Sequence, residues 1–129
     1  MQPHTHSVLI IEDDPDIRDA LADILRDRGF SVVGAGNGRE ALTLLRGLAA
    51  PPSAILLDLM MPVLDGYGFL EEQRQDASLA GIPVAIVTAG RKVERSRIDE
   101  AIPIVPKPIN VPLLFTVLDK MCTTREAHP

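Results

Sequence analysis

The sequence predicts an α/β domain: a doubly wound, five-stranded parallel sheet with helices on both faces and strand order 2-1-3-4-5. Three observations carry this. Short aliphatic runs alternate five times with longer segments of helical spacing, the pattern of right-handed β-α-β crossovers. The run Ala54-Ile55-Leu56-Leu57 is apolar at every position, as a strand covered on both faces must be. The last run, Ile104-Val105, lies between Pro103 and Pro106, and prolines so placed confine a strand to a sheet edge. Of the two common strand orders, 2-1-3-4-5 puts strands one, three and four in the middle and this fifth strand outside.

Ser7 to Ile11 reads as the first strand, ending in Glu12-Asp13-Asp14. Asp14 before Pro15 suits an N-cap and first helical position, and Ile17, Leu21, Ile24 and Leu25 recur at helical spacing up to a stop at Gly29. Phe30 to Ala35 is the second strand; Asn37, with Glu40 three residues on, starts a helix carrying Ala41, Leu44, Leu45 and Leu48. A loop through Pro51-Pro52 leads to the third strand and Asp58, and a helix from Tyr67 to about Gln75 turns Phe69 and Leu70 inward. Pro83 to Thr88 is the fourth strand. Gly90 to Ala101 is the weakest helix, with only Val93 and Ile98 as firm apolar anchors. After the fifth strand, Asn110 caps a last helix with Leu113, Leu114, Val117, Leu118 and Met121 on one face. Residues 1–6 and 123–129 read as disordered or frayed tails around one domain over 7–122.

Composition narrows the function. With 46% hydrophobic but only 3% aromatic residues, the chain must build its core from Leu, Ile, Val and Ala. The net charge of −5 argues against a nucleic-acid-binding face. Cys122 is the single cysteine, which excludes an internal disulfide and fits a reducing compartment. No apolar stretch is long enough to span a membrane and the first residues lack a signal-peptide core, so a cytoplasmic location is expected.

The chemistry centres on carboxylates delivered to one end of the sheet. Glu12, Asp13 and Asp58 all follow aliphatic strands, and ligands of open parallel sheets bind outside the carboxyl ends of the strands. Each carboxylate pair would cost roughly 3 kcal/mol at a separation of about 5 Å, which a divalent cation relieves. Oxygen donors without Cys or His favour Mg²⁺, or Mn²⁺, over zinc. Asp58 beside such an ion is a carboxylate nucleophile for phosphoryl groups. Lys107 is placed to neutralise a transferring phosphoryl group, and Thr88 to donate a hydrogen bond to it. Taken singly, Asp58 reads equally well as a turn cap, Glu12-Asp13 as a solvated strand end and Thr88 as a β-prone residue. Asp65-Gly66 reads as turn chemistry.

Glu12-Asp13, Asp58 with Met61-Pro62 and Asp65-Gly66 after it, Thr88-Ala89 and Lys107-Pro108 together resemble the receiver domain of two-component response regulators, with its flavodoxin-like, chemotaxis-regulator fold. The likeness covers about Ser7 to Met121. It implies that Asp58 is the phospho-acceptor, taking its phosphoryl group from a sensor histidine kinase or a histidine phosphotransfer protein. It also implies that Asp13 binds Mg²⁺ directly, that Glu12 acts through water, and that Met60 offers its backbone carbonyl. Thr88 is then the switch hydroxyl, Lys107 the phosphoryl-contacting lysine, and Lys107-Pro108 a cis bond. Output is through another protein, with neither nucleic acid nor membrane as partner.

Two departures stand out. Ile104 occupies the position where the family usually carries Tyr or Phe, and the interval between Thr88 and Lys107 is short for the family's fourth helix. They leave a rival reading, a degenerate receiver that binds a partner constitutively. A Mg²⁺-dependent phosphohydrolase is a third reading, opposed by Met60, which sits where that chemistry needs a second acid. Arg91, Lys92, Arg95 and Arg97 form a basic cluster that reads first as a solvated face and second as a docking patch. His4 and His6 belong to the N-terminal tail.

Overall fold

Every aliphatic run becomes a strand. In the computed structural model, which describes residues 6–89 and 93–127, the order is β1 Ser7–Ile11, α1 Pro15–Asp27, β2 Ser31–Ala35, α2 Gly38–Gly47, β3 Ala54–Leu57, α3 Gly66–Gln75, β4 Val84–Thr88, β5 Ile104–Pro106 and α4 Val111–Ala127. The strands are all parallel and ordered β2-β1-β3-β4-β5. The proline-bracketed β5 is therefore an edge strand, as the sequence predicts.

Period-two alternation splits the core into two layers. Leu9, Ile11, Ile55, Leu57 and Ile86 face α2 and α3, against Leu42, Leu45, Phe69 and Leu70. Val8, Ile10, Leu56, Ala85 and Val87 face the other way, onto Leu21 and Leu25 of α1 and Leu114, Phe115 and Leu118 of α4.

The helices start where side-chain oxygens can satisfy their first N–H groups. Asp14 accepts from Asp16 N at 2.9 Å, Asn37 from Glu40 N at 2.9 Å, Asp65 from Gly68 N at 2.9 Å and Asn110 from Leu113 N at 2.9 Å. Asp65, read from the sequence as turn chemistry, is thus the cap of α3. Gly29, at φ +95°, takes the left-handed position that ends α1.

Five expectations are corrected. The helix expected over 90–101 is, among the described residues, a single 3₁₀ turn at Arg95–Arg97; Gly90, Arg91 and Lys92 lie outside those residues. Two apolar anchors do not hold a helix against the sheet, and the Arg95 guanidinium instead ties back the carbonyls of Glu100 and Ile102. Leu113 does not share the buried face of α4 but is 41% exposed, whereas Phe115 packs inward. Leu48 lies one residue beyond α2 and is half-exposed, because that helix ends at Gly47. The backbone of α4 continues to Ala127, past the apolar repeat, since each added residue gains its own hydrogen bond once a helix is nucleated. His6, assigned to the tail, meets Ser53 Oγ through Nδ1 at 3.2 Å and packs its ring near Phe30. His4 and the residues before His6 lie outside the described part.

Candidate functional site

Register builds the site. Ile11 pairs with Leu57, so Glu12 and Asp58 emerge side by side, and the ladder extends one step further through Asp58 N to Ile11 O at 3.0 Å and Glu12 N to Ala35 O at 3.0 Å. Thr88 pairs with Pro106, and Lys107 N donates to Thr88 O at 3.0 Å, which fixes the main chain of Lys107 at the same edge. The Lys107-Pro108 bond is cis.

The side chains converge. Carboxylate oxygens of Glu12, Asp13 and Asp58 lie within 4.8 Å of one another. Glu12, Asp58 and Thr88 are buried, while Asp13 is exposed. Lys107 Nζ donates to Glu12 Oε1 at 2.6 Å and stands 3.5 Å from Asp58 Oδ2. The other oxygen of Glu12 accepts from Asp14 N at 3.2 Å, and Asp58 Oδ1 accepts from Met60 N at 3.3 Å. The Met60 side chain is 69% exposed, so this residue meets the site through its main chain.

Burial holds the Glu12 carboxyl above its usual pKa, outweighing the hydrogen bond from Lys107, and the Asp58 charge adds to the rise. For Lys107, burial works against the ammonium. The hydrogen bond to Glu12 and the charges of Asp58 and Glu12 overcome it, so its pKa lies above the ordinary value.

Three features were not legible in the sequence. Arg18 Nη1 donates to the Glu12 carbonyl at 2.7 Å, pinning the acidic turn from α1. Gly66 lies so close to the strand end that a Cβ there would stand 2.7 Å from both Asp58 O and Leu59 Cα. Val63 has φ +69° between Pro62 O and Leu64 N, which are joined by a 2.8 Å hydrogen bond in a γ-turn. The Asp65-Gly66 pair was the one available signal for the second of these.

A hard divalent cation fits this donor set, because three carboxylates with no thiolate or imidazole match the oxygen preference of Mg²⁺. Residues 8–119 match the family model described as the response regulator receiver domain. The chain belongs to the response regulator receiver family. Among curated proteins, this receiver domain is 35% identical over 108 residues to a response regulator receiver protein of Anaeromyxobacter sp., covering 83% of this chain and 44% of that one. It is 37% identical over 89 residues to a probable transcriptional regulator of Porphyra purpurea, covering 69% of this chain and 35% of the relative. The chain thus spans less than half the length of these relatives. Among solved structures, the receiver domain of a signal transduction histidine kinase from Syntrophus aciditrophicus superposes with TM-score 0.85 at 27% identity, covering 96% of this chain and 95% of that one. The receiver domain of a Pseudomonas aeruginosa sensor histidine kinase, with magnesium coordinated in its active-site cleft, shares the fold at TM-score 0.82 and 24% identity, over 93% and 99% of the two chains. As a receiver domain, the protein is a two-component signalling module. No helix among the described residues is long and apolar enough to cross a membrane.

Proposed function

We propose that this receiver domain accepts a phosphoryl group on Asp58, in a Mg²⁺-dependent reaction, from a phosphohistidine on a sensor histidine kinase or a histidine phosphotransfer protein. One observation carries the reading. Asp58 is buried at a strand end with the acids Glu12 and Asp13 within 4.8 Å and the Lys107 ammonium 3.5 Å away.

In the transfer, an Asp58 carboxylate oxygen attacks phosphorus as the P–N bond to the donor imidazole breaks, and the bonding pair leaves with that nitrogen. Asp13, Asp58, the Met60 carbonyl and, through water, Glu12 would hold Mg²⁺, which supplies charge neutralisation for the phosphoryl oxygens. Lys107, paired with Glu12 before transfer, is near enough to re-pair with the new group, and the Thr88 hydroxyl is to donate a second hydrogen bond. The acyl phosphate adds a charge of about −1.5 to −2 where three acids already meet, so the surrounding loops must rearrange. The domain spans 7–122, works in the cytoplasm and signals by contact with an output protein rather than with nucleic acid or membrane. It catalyses no turnover beyond its own phosphorylation and dephosphorylation.

A degenerate, constitutive module is less well supported, since acids, acceptor, Thr88 and Lys107 all survive at one edge. Incubation of wild type and Asp58→Asn with acetyl phosphate and Mg²⁺, followed by intact mass, tests the proposal. One added phosphoryl group on the wild type and none on the variant is expected. Incorporation that survives the substitution, or that needs no Mg²⁺, overturns it.

A further inference from the structure

Two chain segments leave the acidic edge separately and meet again away from it. One follows Asp58 into α3, where Gly66 N donates to Leu59 O at 3.0 Å and lies against the Asp58 carbonyl. The other follows Thr88 out of β4 toward the turn at Arg95–Arg97. They are joined by Tyr67, the residue after Gly66. Its hydroxyl accepts a 2.8 Å hydrogen bond from Glu94 N, and its buried ring lies under the Arg97 guanidinium at 4.4 Å. Arg97 also reaches Glu71 on α3 and Glu94 on its own segment, each at 3.6 Å.

We infer that Tyr67 is a positioning residue that transmits the phosphorylation state of Asp58 to residues 93–98, phosphorylation opening the hydroxyl bond to Glu94. This rests on the phospho-acceptor reading above. A new phosphoryl group must be accommodated by the chain just after Asp58 and by Thr88, which are the roots of the two segments. The bond that closes them is at normal length, 2.8 Å, and a further separation of about 0.8 Å puts it beyond hydrogen-bonding range. The rest of what holds the second segment lies mostly at the surface, where the Arg95 guanidinium ties it to the carbonyls of Glu100 and Ile102. Its short turn buries no side chain of its own, and exposed ion pairs such as those of Arg97 contribute little. Ile98 is buried in the core, and Val93 packs against the same cluster from its edge. Small displacements at the acidic edge are thereby converted into freeing of a surface segment, without an aromatic at position 104.

Tyr67 is the single tyrosine in a chain without tryptophan, so its emission reports this contact directly. The test compares wild type and Tyr67→Phe, each with and without Mg²⁺ and beryllofluoride as phosphoryl mimic, by amide exchange over residues 93–98. Parallel intact-mass assays with acetyl phosphate score the acceptor. In the wild type the mimic is expected to shift tyrosine emission and to speed exchange over 93–98 by about five-fold, the equivalent of one net hydrogen bond. Tyr67→Phe should accept phosphoryl normally yet exchange fast in both states. Phosphoryl incorporation with unchanged wild-type exchange overturns this inference alone, as does a full-size response in Tyr67→Phe. Failure of the wild type to incorporate phosphoryl overturns the underlying reading as well.

Discussion

Lys107 is bound to Glu12 more closely than to Asp58: its Nζ lies 2.6 Å from Glu12 Oε1 and 3.5 Å from Asp58 Oδ2. The lysine therefore serves two carboxylates at once and already holds the place of a cation at the acidic edge. Lys107→Met should leave the buried Glu12 carboxylate without its strongest partner. The expected loss is about 2 kcal/mol at neutral pH in EDTA, below what a fully buried pair costs to break because the ammonium retains some solvent contact. Chemical denaturation measures it, and a loss indistinguishable from zero would mean that the Lys107 contacts are energetically idle.

The 4.8 Å cluster of Glu12, Asp13 and Asp58 stores repulsion that an added dication removes. Saturating Mg²⁺, at about a hundred times its dissociation constant, should stabilise the wild type by about 2.7 kcal/mol. Asp13→Asn removes the exposed, most accessible donor and should abolish most of that gain while leaving the EDTA-treated protein as stable as wild type or slightly more so. A thermal melt with and without Mg²⁺ decides it. An equal Mg²⁺ response in both proteins would place the ion elsewhere.

What could be read from the sequence follows from how local the physics is. Asp14-Pro15, Asn37 and Asn110 cap helices through contacts two or three residues away, so composition alone reveals them. The acidic edge was legible for a different reason. In a parallel sheet, strands that end in register bring whatever follows them together, and Glu12 and Asp58 follow Ile11 and Leu57, which pair. Bonds from single side chains to main-chain groups elsewhere in the fold left no trace. Nothing in the pattern around Tyr67 announces Glu94, and nothing around Arg18 announces the Glu12 carbonyl. Leu113 and Leu114 are adjacent leucines, and helical periodicity did not decide which of them faces the sheet; the structure buries Leu114 and Phe115. The turn at Arg95–Arg97 was the one element whose type was missed, in the stretch where apolar anchors were fewest.

Gly66→Ala tests whether the backbone behind Asp58 has room. A Cβ at 2.7 Å from Asp58 O and Leu59 Cα must push on main chain, which cannot swing aside as a side chain can. The substitution should cost about 2 kcal/mol of stability, in the range of overpacked sites. It should also slow phosphoryl incorporation from acetyl phosphate, because the displaced atoms belong to Asp58, the proposed acceptor. Unfolding in urea gives the first quantity and intact mass against time the second; a variant normal in both would refute the close approach.

Val63 presents the opposite case, a residue that should improve on replacement. A β-branched side chain at φ +69° carries strain of about 1–2 kcal/mol, and it is 82% exposed, so little packing would be lost. Glycine removes that strain but adds unfolded-state entropy of up to about 1 kcal/mol. Val63→Gly should therefore be neutral to stabilising by about 1 kcal/mol in urea denaturation. A clear loss of stability would show that the Val63 side chain makes a favourable contact the exposed position does not suggest.

The pH dependence of the metal-free protein separates the two partners of the central pair. Burial raises the folded-state pKa of Glu12, so this group binds a proton more tightly folded than unfolded. Its contribution to stability is then fully present below the unfolded carboxyl pKa, roughly 4.3, and is lost as pH rises through the folded value. Lys107 is also raised, burial being outweighed by its bond to Glu12 and by the neighbouring carboxylates. Its contribution is present below roughly pH 10.4 and disappears as pH climbs through the folded pKa above that point. In EDTA, the stability of wild type minus that of Glu12→Gln should decline across the mildly acidic window. Wild type minus Lys107→Met should hold steady through neutrality and decline only in strong alkali. If the first difference instead grows with pH across the acidic window, the Lys107 bond dominates burial at Glu12, and its carboxyl lies below the usual range rather than above it.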